Sequence, residues 1–184
     1  MSTVIETGIP TGTWAIDKAH TKVGFAVKHM GVSTVRGEFR EFDGALEVDE
    51  DGNLRAHGTV QAASVQTNQD QRDEHLRSAD FFDVENYPEI SFESTSIERI
   101  DDENYRIVGD LTIHGITKSI ELDAELGGVD VGMQDEHRTG LEVTGQLSRK
   151  DFEMKFNAAL GSGNAVVADK VKLALDVEAI LQSA

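Results

Sequence analysis

Cysteine is absent from the 184 residues. Its absence excludes disulfides, thiolate metal sites and cysteine nucleophiles, and leaves the redox compartment open. Long apolar runs are also missing: no stretch approaches the ~20 residues that span a bilayer as a helix, so no membrane span is expected. Basic residues are scarce, 17 Lys and Arg against 34 Asp and Glu, for a formal net charge of −17. That balance opposes binding to polyphosphates and removes nucleic acid as an expected partner. The start, Met1 to Thr7, has no basic region and no apolar core, and it carries Glu6. It lacks the pattern of a secretory signal, so a cytoplasmic location is expected, although a processed secreted chain would read alike.

Motifs for chemistry are missing as well. The six histidines form no H-E-x-x-H and no i,i+4 pair, so no metal site is expected. There is no G-x-S-x-G elbow, no G-x-G-x-x-G and no phosphate-cradling loop, and no cofactor is expected. Carboxylates are abundant because the chain is acidic, so a pair of them does not single out an acid/base dyad. Asp73-Glu74-His75 reads as one surface turn of a helix, and Asp17 with His20 reads as a strand-to-strand turn.

What is present is alternation with period 2. It is cleanest over 119–126, where Ile120, Leu122, Ala124 and Leu126 alternate with Ser119, Glu121, Asp123 and Glu125. It recurs over 22–29, 54–62, 105–113, 139–147 and 171–179, with further segments near 13–17, 34–48 and 89–98. The turn signals are Asp49–Asn53, Asp101–Asn104, Gly127-Gly128 and Gly161–Asn164. The pattern predicts about eight or nine antiparallel strands with one buried face each, as a sandwich or an up-and-down barrel. One interval, 66–88, does not alternate; a short helix is predicted near 68–78 with a cap-like start at Asn68. The segment near 151–165 is amphipathic and ambiguous. A chain of this length reads as one domain over 13–182 behind a frayed 1–12.

Several inward positions are small: Ala56, Gly58, Ala62, Ser94, Gly109, Ala124 and Gly145. Eight phenylalanines are spread over separate elements. Small residues facing inward leave apolar volume, and such volume either lowers stability or receives a guest.

Four stretches together resemble one family. They are Asp17-x-x-His20-Thr21 through His29-Met30-Gly31 and on to Phe42-x-Gly44; Arg72-Asp73-x-His75-Leu76 through Asp80-Phe81-Phe82-Asp83-Val84 and Tyr87-Pro88; Leu111 to Lys118; and Arg149-Lys150-Asp151-Phe152 followed by Val171 to Ala179. In this order they resemble the YceI family of polyisoprenoid-binding, lipocalin-like proteins, and Gly12-Thr13-Trp14 is similar to the G-x-W of lipocalins. The chain departs at Gly132–Arg138, where the family commonly carries Trp-Gly. The resemblance implies an all-β, extended lipocalin-like antiparallel barrel around a long isoprenoid or similar amphiphile. It implies tail contacts from Phe25, Val27, Phe39, Phe81, Phe92, Ile113 and Phe152, and polar contacts near the mouth from His29, Arg36 and His114.

Three functions are in contention. The first is non-catalytic binding, for transport or storage of a polyisoprenoid or quinone-like lipid. The second is an enzyme on an amphiphilic lipid, a hydrolase or isomerase using His29, His75 or His114. The third is a packed barrel acting as a stress-related interaction protein. Binding is the expected one, with catalysis absent; a homodimer is expected only from the general frequency of such assemblies.

Overall fold

The computed structural model describes residues 8–158 and 165–182. Eleven strands occur among the described residues: β1 (Gly12–Ile16), β2 (Lys22–His29), β3 (Ser33–Phe39), β4 (Phe42–Val48), β5 (Leu54–Gln61), β6 (Val65–Gln66), β7 (Glu89–Arg99), β8 (Asn104–Ile113), β9 (Ile116–Val131), β10 (His137–Ser148) and β11 (Val167–Leu181). Eight of them, in the order β1-β4-β5-β7-β8-β9-β10-β11, close into a ring because β11 pairs back onto β1. All pairings in the ring are antiparallel, with Trp14 opposite Leu181 and Ile16 opposite Ala179 at the seam. Alternation allowed a sandwich or a barrel; this closure makes it a barrel.

β2, β3 and β6 extend the sheet beyond the ring. The extension is possible because β11 runs for 15 residues. It holds β1 along 179–181 and β2 along 167–176. The expected strand over 34–48 is therefore two strands. It breaks at Arg40-Glu41, where the partner changes from β2 to β1.

The loops after β4 and β7 use the acidic turn residues seen in the sequence. Asp49 Oδ1 accepts from the backbone N–H groups of Asp51 and Asn53, and Asp101 Oδ1 accepts from those of Glu103 and Asn104. Such side-chain turns supply the corner that the backbone would otherwise have to form alone. Gly127-Gly128 is a correction: β9 continues through it to Val131, and the pairing with β10 shifts register between Thr139 and Leu141. Gly128 has φ +104, so the glycines serve a bulge rather than a turn. The Gly161–Asn164 signal lies outside the described residues.

The helix is shorter than expected. α1 spans Asp70–Arg77, and Asn68 lies before it with φ 62. Its start is held by Asp73, whose Oδ1 accepts from Thr67 N at 2.8 Å and from Thr67 Oγ1 at 2.6 Å. Asp73 is only 4% exposed, so of the surface helix turn expected at Asp73-Glu74-His75 its first residue points inward while Glu74 is exposed. Negative charge in the first turn also suits the helix dipole.

Trp14 seals one end of the barrel. It is fully buried with Ile9, Val48, Tyr105, Leu126 and Val143, and its indole N–H donates to Pro10 O at 2.9 Å. The expected frayed stretch 1–12 is described from Gly8 onward, and there Ile9 belongs to this plug. A second cluster, Ala62, Ile90, Leu111, Ile113, Leu147, Phe152 and Met154, lies toward the other end. Between the clusters the barrel is hollow.

Candidate functional site

The hollow is a cavity of about 320 Å³. That volume falls within the ~300–1,000 Å³ typical of ligand pockets and far exceeds room for a few waters. Its walls come from alternate residues of the strands: Val23, Phe25 and Val27 of β2, Phe39 of β3, Ala56, Gly58 and Val60 of β5. Leu76 of α1, Phe81 and Phe82 beyond it, and Met154 complete the end opposite Trp14. Asp43 and His57 also border it. Both are exposed and alternate with inward positions; the facing pair Gly44–Gly58, without side chains, makes the wall thin there.

The small inward residues do not all contribute space. A Cβ on Gly109 would collide with the ring of Phe92, one on Gly145 with Leu122, and one on Gly37 with Phe25. These glycines are filled by cross-strand neighbours, as aromatic side chains commonly cover glycines in sheets. Ala62 and Ala124 belong to the two packed clusters. Ser94 Oγ accepts from Ala56 N at 2.9 Å, extending the ladder beside the bulge in β7. Only Ala56 and Gly58 of the seven border the cavity.

Six of the residues implied by the resemblance line the cavity: Phe25, Val27, Phe39, Phe81, Phe92 and Ile113. Phe25 and Phe39 pack with ring centroids 5.6 Å apart, and Phe39 meets Phe82 at the same distance, edge to face. This gives a continuous aromatic wall from β2 to the turn after α1. Four others stand elsewhere, and each departure has a local cause. Arg36 pairs with Ala26 on the outer face of the sheet and is exposed, one residue out of phase with the inward Val35 and Gly37. His29 ends β2, opposite Ser33 and Val167, past the last lining residue of that strand. His114, with Gly115, forms the turn from β8 to β9 at φ 56 and 73. Its Nδ1 lies 3.1 Å from Phe152 O and its ring packs on Tyr87, away from the cavity. Phe152 is 1% exposed and lies within the second cluster, behind the lining.

The histidines invoked for catalysis do not converge. His75 Nε2 pairs with Asp80 at 2.8 Å, and its ring meets Phe81 and Phe156 edge to face. His29 is on β2 and His114 on the β8–β9 turn. None of the three lines the cavity.

Sequence reasoning missed two features. Arg149, 6% exposed, lines the cavity near Phe81 and Met154. It donates to Ala168 O, Met154 O, Phe156 O and Val167 O at 2.9–3.2 Å, and its guanidinium stands 5.8 Å from the Phe81 ring centre. Burial pushes its pKa down, opposed by the nearby charge of Asp169. The Arg149-Lys150-Asp151-Phe152 motif marked the place but not the direction of the side chain. The second feature is a charge cluster that joins distant segments. Asp17, His20 and Glu178 bring their ligating atoms within 4.8 Å of one another. Arg138 bonds Asp17 and Glu178 at 2.8 Å each and Glu136 at 2.7 Å, supplying the countercharge. Hydrogen bonds from His20 and Arg138 hold the Asp17 carboxyl down to about 2. The expected Asp17 turn is present, with Oδ1 accepting from Ala19 N; only its long-range partners were invisible.

Comparison with known proteins agrees with this geometry. A YceI-like domain model matches residues 14–179. The UPF0312 protein SAB2563 of Staphylococcus aureus is 38% identical over 168 residues, 90% of this chain and 95% of that one. The structure of the Campylobacter jejuni YCEI protein superposes with a TM-score of 0.74 at 34% identity, covering 91% of this chain and 96% of that one. A polyisoprenoid binding domain from Saccharophagus degradans, implicated in plant cell wall breakdown, shares the fold at 12% identity, with a TM-score of 0.69 over 92% and 98% of the chains. The chain belongs to the YceI family.

Proposed function

We propose that this protein binds the apolar tail of a polyisoprenoid or quinone-like lipid inside the barrel, without chemistry on it, and so carries or stores the lipid. The observation that carries this reading is the 320 Å³ cavity walled by Phe25, Val27, Phe39, Phe81 and Phe92. A hollow of that size and lining is unfavourable when empty, because its walls lose packing partners. Each methylene moved into it from water contributes about 0.8 kcal/mol, so several isoprene units offset the entropy lost on binding. The fold shared with a polyisoprenoid binding domain lends support by analogy. The volume disfavours a packed scaffold, and the scattered His29, His75 and His114 disfavour an acid/base site.

Mass spectrometry of lipids extracted from gently purified protein tests the proposal, together with uptake of an added polyprenyl lipid. Long-chain lipid in near-stoichiometric amount is expected. Ala56→Phe, which puts a ring into the cavity, is expected to cut uptake while the barrel stays folded. Protein that carries no lipid and takes up none would refute the proposal.

A further inference from the structure

Arg149 is a buried cation on the wall of an apolar cavity, and that combination is costly unless the charge is answered. Of its five N–H donors, four point at backbone carbonyls: Nε at Ala168 O, Nη1 at Met154 O and Phe156 O, and one Nη2 hydrogen at Val167 O. One Nη2 hydrogen has no acceptor among the described residues. No carboxylate forms an ion pair with Arg149 among those residues either. Asp169, whose charge acts on it, is taken up by Ser148 Oγ and Lys150 N. Carbonyl dipoles thus fix the guanidinium rigidly on the cavity wall, behind the Phe81 ring that it faces at 5.8 Å and beside Met154, with its positive charge uncompensated by any carboxylate in contact among the described residues. A neutral donor would tie these segments together equally well; a fixed charge at reduced dielectric adds a strong preference for an anion.

We infer that the cavity takes amphiphiles with an oxyanion head, a phosphate ester or a carboxylate, whose head sits against Arg149 and whose tail runs down the barrel toward Trp14. This rests on the reading of the cavity as a lipid site and names the chemical class of its ligand. The opposite end supports the polarity, since Trp14, Val48 and Leu126 close it with apolar packing. Among the described residues, the cluster that closes this end has no charged member. The orientation therefore follows from where the buried guanidinium of Arg149 stands, and the implied mouth residues Arg36 and His114 are not needed for it.

The test compares three probes with one tail: farnesyl phosphate, farnesoic acid and farnesol, titrated against the intact protein at fixed ionic strength. At least one of the two anions is expected to bind roughly tenfold or more tightly than farnesol, as a charge-assisted hydrogen bond to a fixed donor warrants. The order of phosphate and carboxylate identifies the natural head. Arg149→Gln is expected to abolish the preference, so that the affinities of the two anions fall to that of farnesol in the same variant. Should that variant fail to fold, Arg149→Lys keeps the charge and is expected to retain a reduced preference. Equal affinities for the three probes in the unaltered protein would overturn the inference, leaving Arg149 as a backbone clamp only and the lipid site intact. A preference that survives in Arg149→Gln would overturn the assignment to this residue. Binding of none of the three would refute the lipid site itself, and the inference with it.

Discussion

Replacing Asp73 by alanine is expected to loosen the end of the barrel that α1 covers, before the barrel itself unfolds. Asp73 and Thr67 are 4% and 5% exposed, so water does not replace what the carboxylate provides. Two bonds are lost, from Thr67 N at 2.8 Å and from Thr67 Oγ1 at 2.6 Å. A hydrogen bond to a charged group contributes about 1.5–3 kcal/mol, and a buried N–H left without a partner costs about 1–3 kcal/mol. Part of this is recovered, because a buried carboxylate no longer has to be desolvated. Thr67 Oγ1 also still accepts from Arg72 Nε at 2.7 Å. The balance is a loss of about 3 kcal/mol for Asp73→Ala. Asp73→Asn keeps one acceptor for Thr67 N, and a loss of about 1 kcal/mol is expected. Urea denaturation reads the total, and amide hydrogen exchange across Asp70–Arg77 reads the local part. Because Leu76 lines the cavity, lipid off-rates should rise in the same order. An Asp73→Ala protein within 0.5 kcal/mol of the parent, with unchanged exchange in α1, would refute this account of how the helix is held.

Other outcomes follow from single contacts. Gly37→Ala should cost about 1–3 kcal/mol, since its Cβ would collide with the Phe25 ring and reach Thr67 Cγ2 at 2.9 Å. With Phe25→Leu in place the same change should cost at least about 1 kcal/mol less, and strict additivity in that cycle would refute the contact. Trp14→Phe leaves the Pro10 carbonyl without its indole donor in the closed end; a loss of about 1–3 kcal/mol in unfolding free energy, read from a lowered urea midpoint, is expected. Asp17 titrates at about 2 when folded, below its ordinary value near ~3.9. It therefore stabilises the fold above about pH 4, and that stabilisation is lost as the pH falls toward 2. His20, raised by its bond to Asp17, acts with the opposite sign: its contribution is complete below about pH 6.5 and fades as pH rises through its raised value. Arg138→Met should flatten the acid limb in urea titrations from pH 2 to 8, and an unchanged limb would count against the cluster.

The barrel was readable wherever one face of a strand is buried and the other wet. Tyr105, Ile107, Gly109, Leu111 and Ile113 are buried in strict alternation along β8, as the pattern required. Where a second rule competes, the reading slipped. Two adjacent glycines suit a turn and a bulge equally, and only the partner strand decides, so β9 was cut short at Gly127-Gly128. The start of α1 was set too early because Asn68 takes φ 62 ahead of the helix, whose entry is tied instead by Asp73, inside the helix, reaching back to Thr67. At the site, the resemblance pointed to Phe25, Val27, Phe39 and Phe92, which lie on regular strands and line the cavity, while the residues beyond regular strands, Phe152 and His114, could not be aimed. Arg36 shows the limit of resemblance without phase: it lies within a matched motif yet stands one position off the inward face. Arg149 could not be read from local sequence at all, because its four acceptors come from 154–156 and 167–168.

The length of β11 has a bearing on how the chain reaches this state. It is the shared neighbour of β1, β2 and β10, joining the seam at Trp14–Leu181 to segments more than a hundred residues earlier. Until residues 167–181 are laid down, those three strands keep unpaired backbone edges, and the aromatic wall of the cavity has no facing side. Contacts so distant in sequence form slowly, and open edges beside apolar surface favour association between chains. On a ribosome, the nearly finished barrel is therefore the most vulnerable species, and its last strand converts a sticky half-shell into a sealed container.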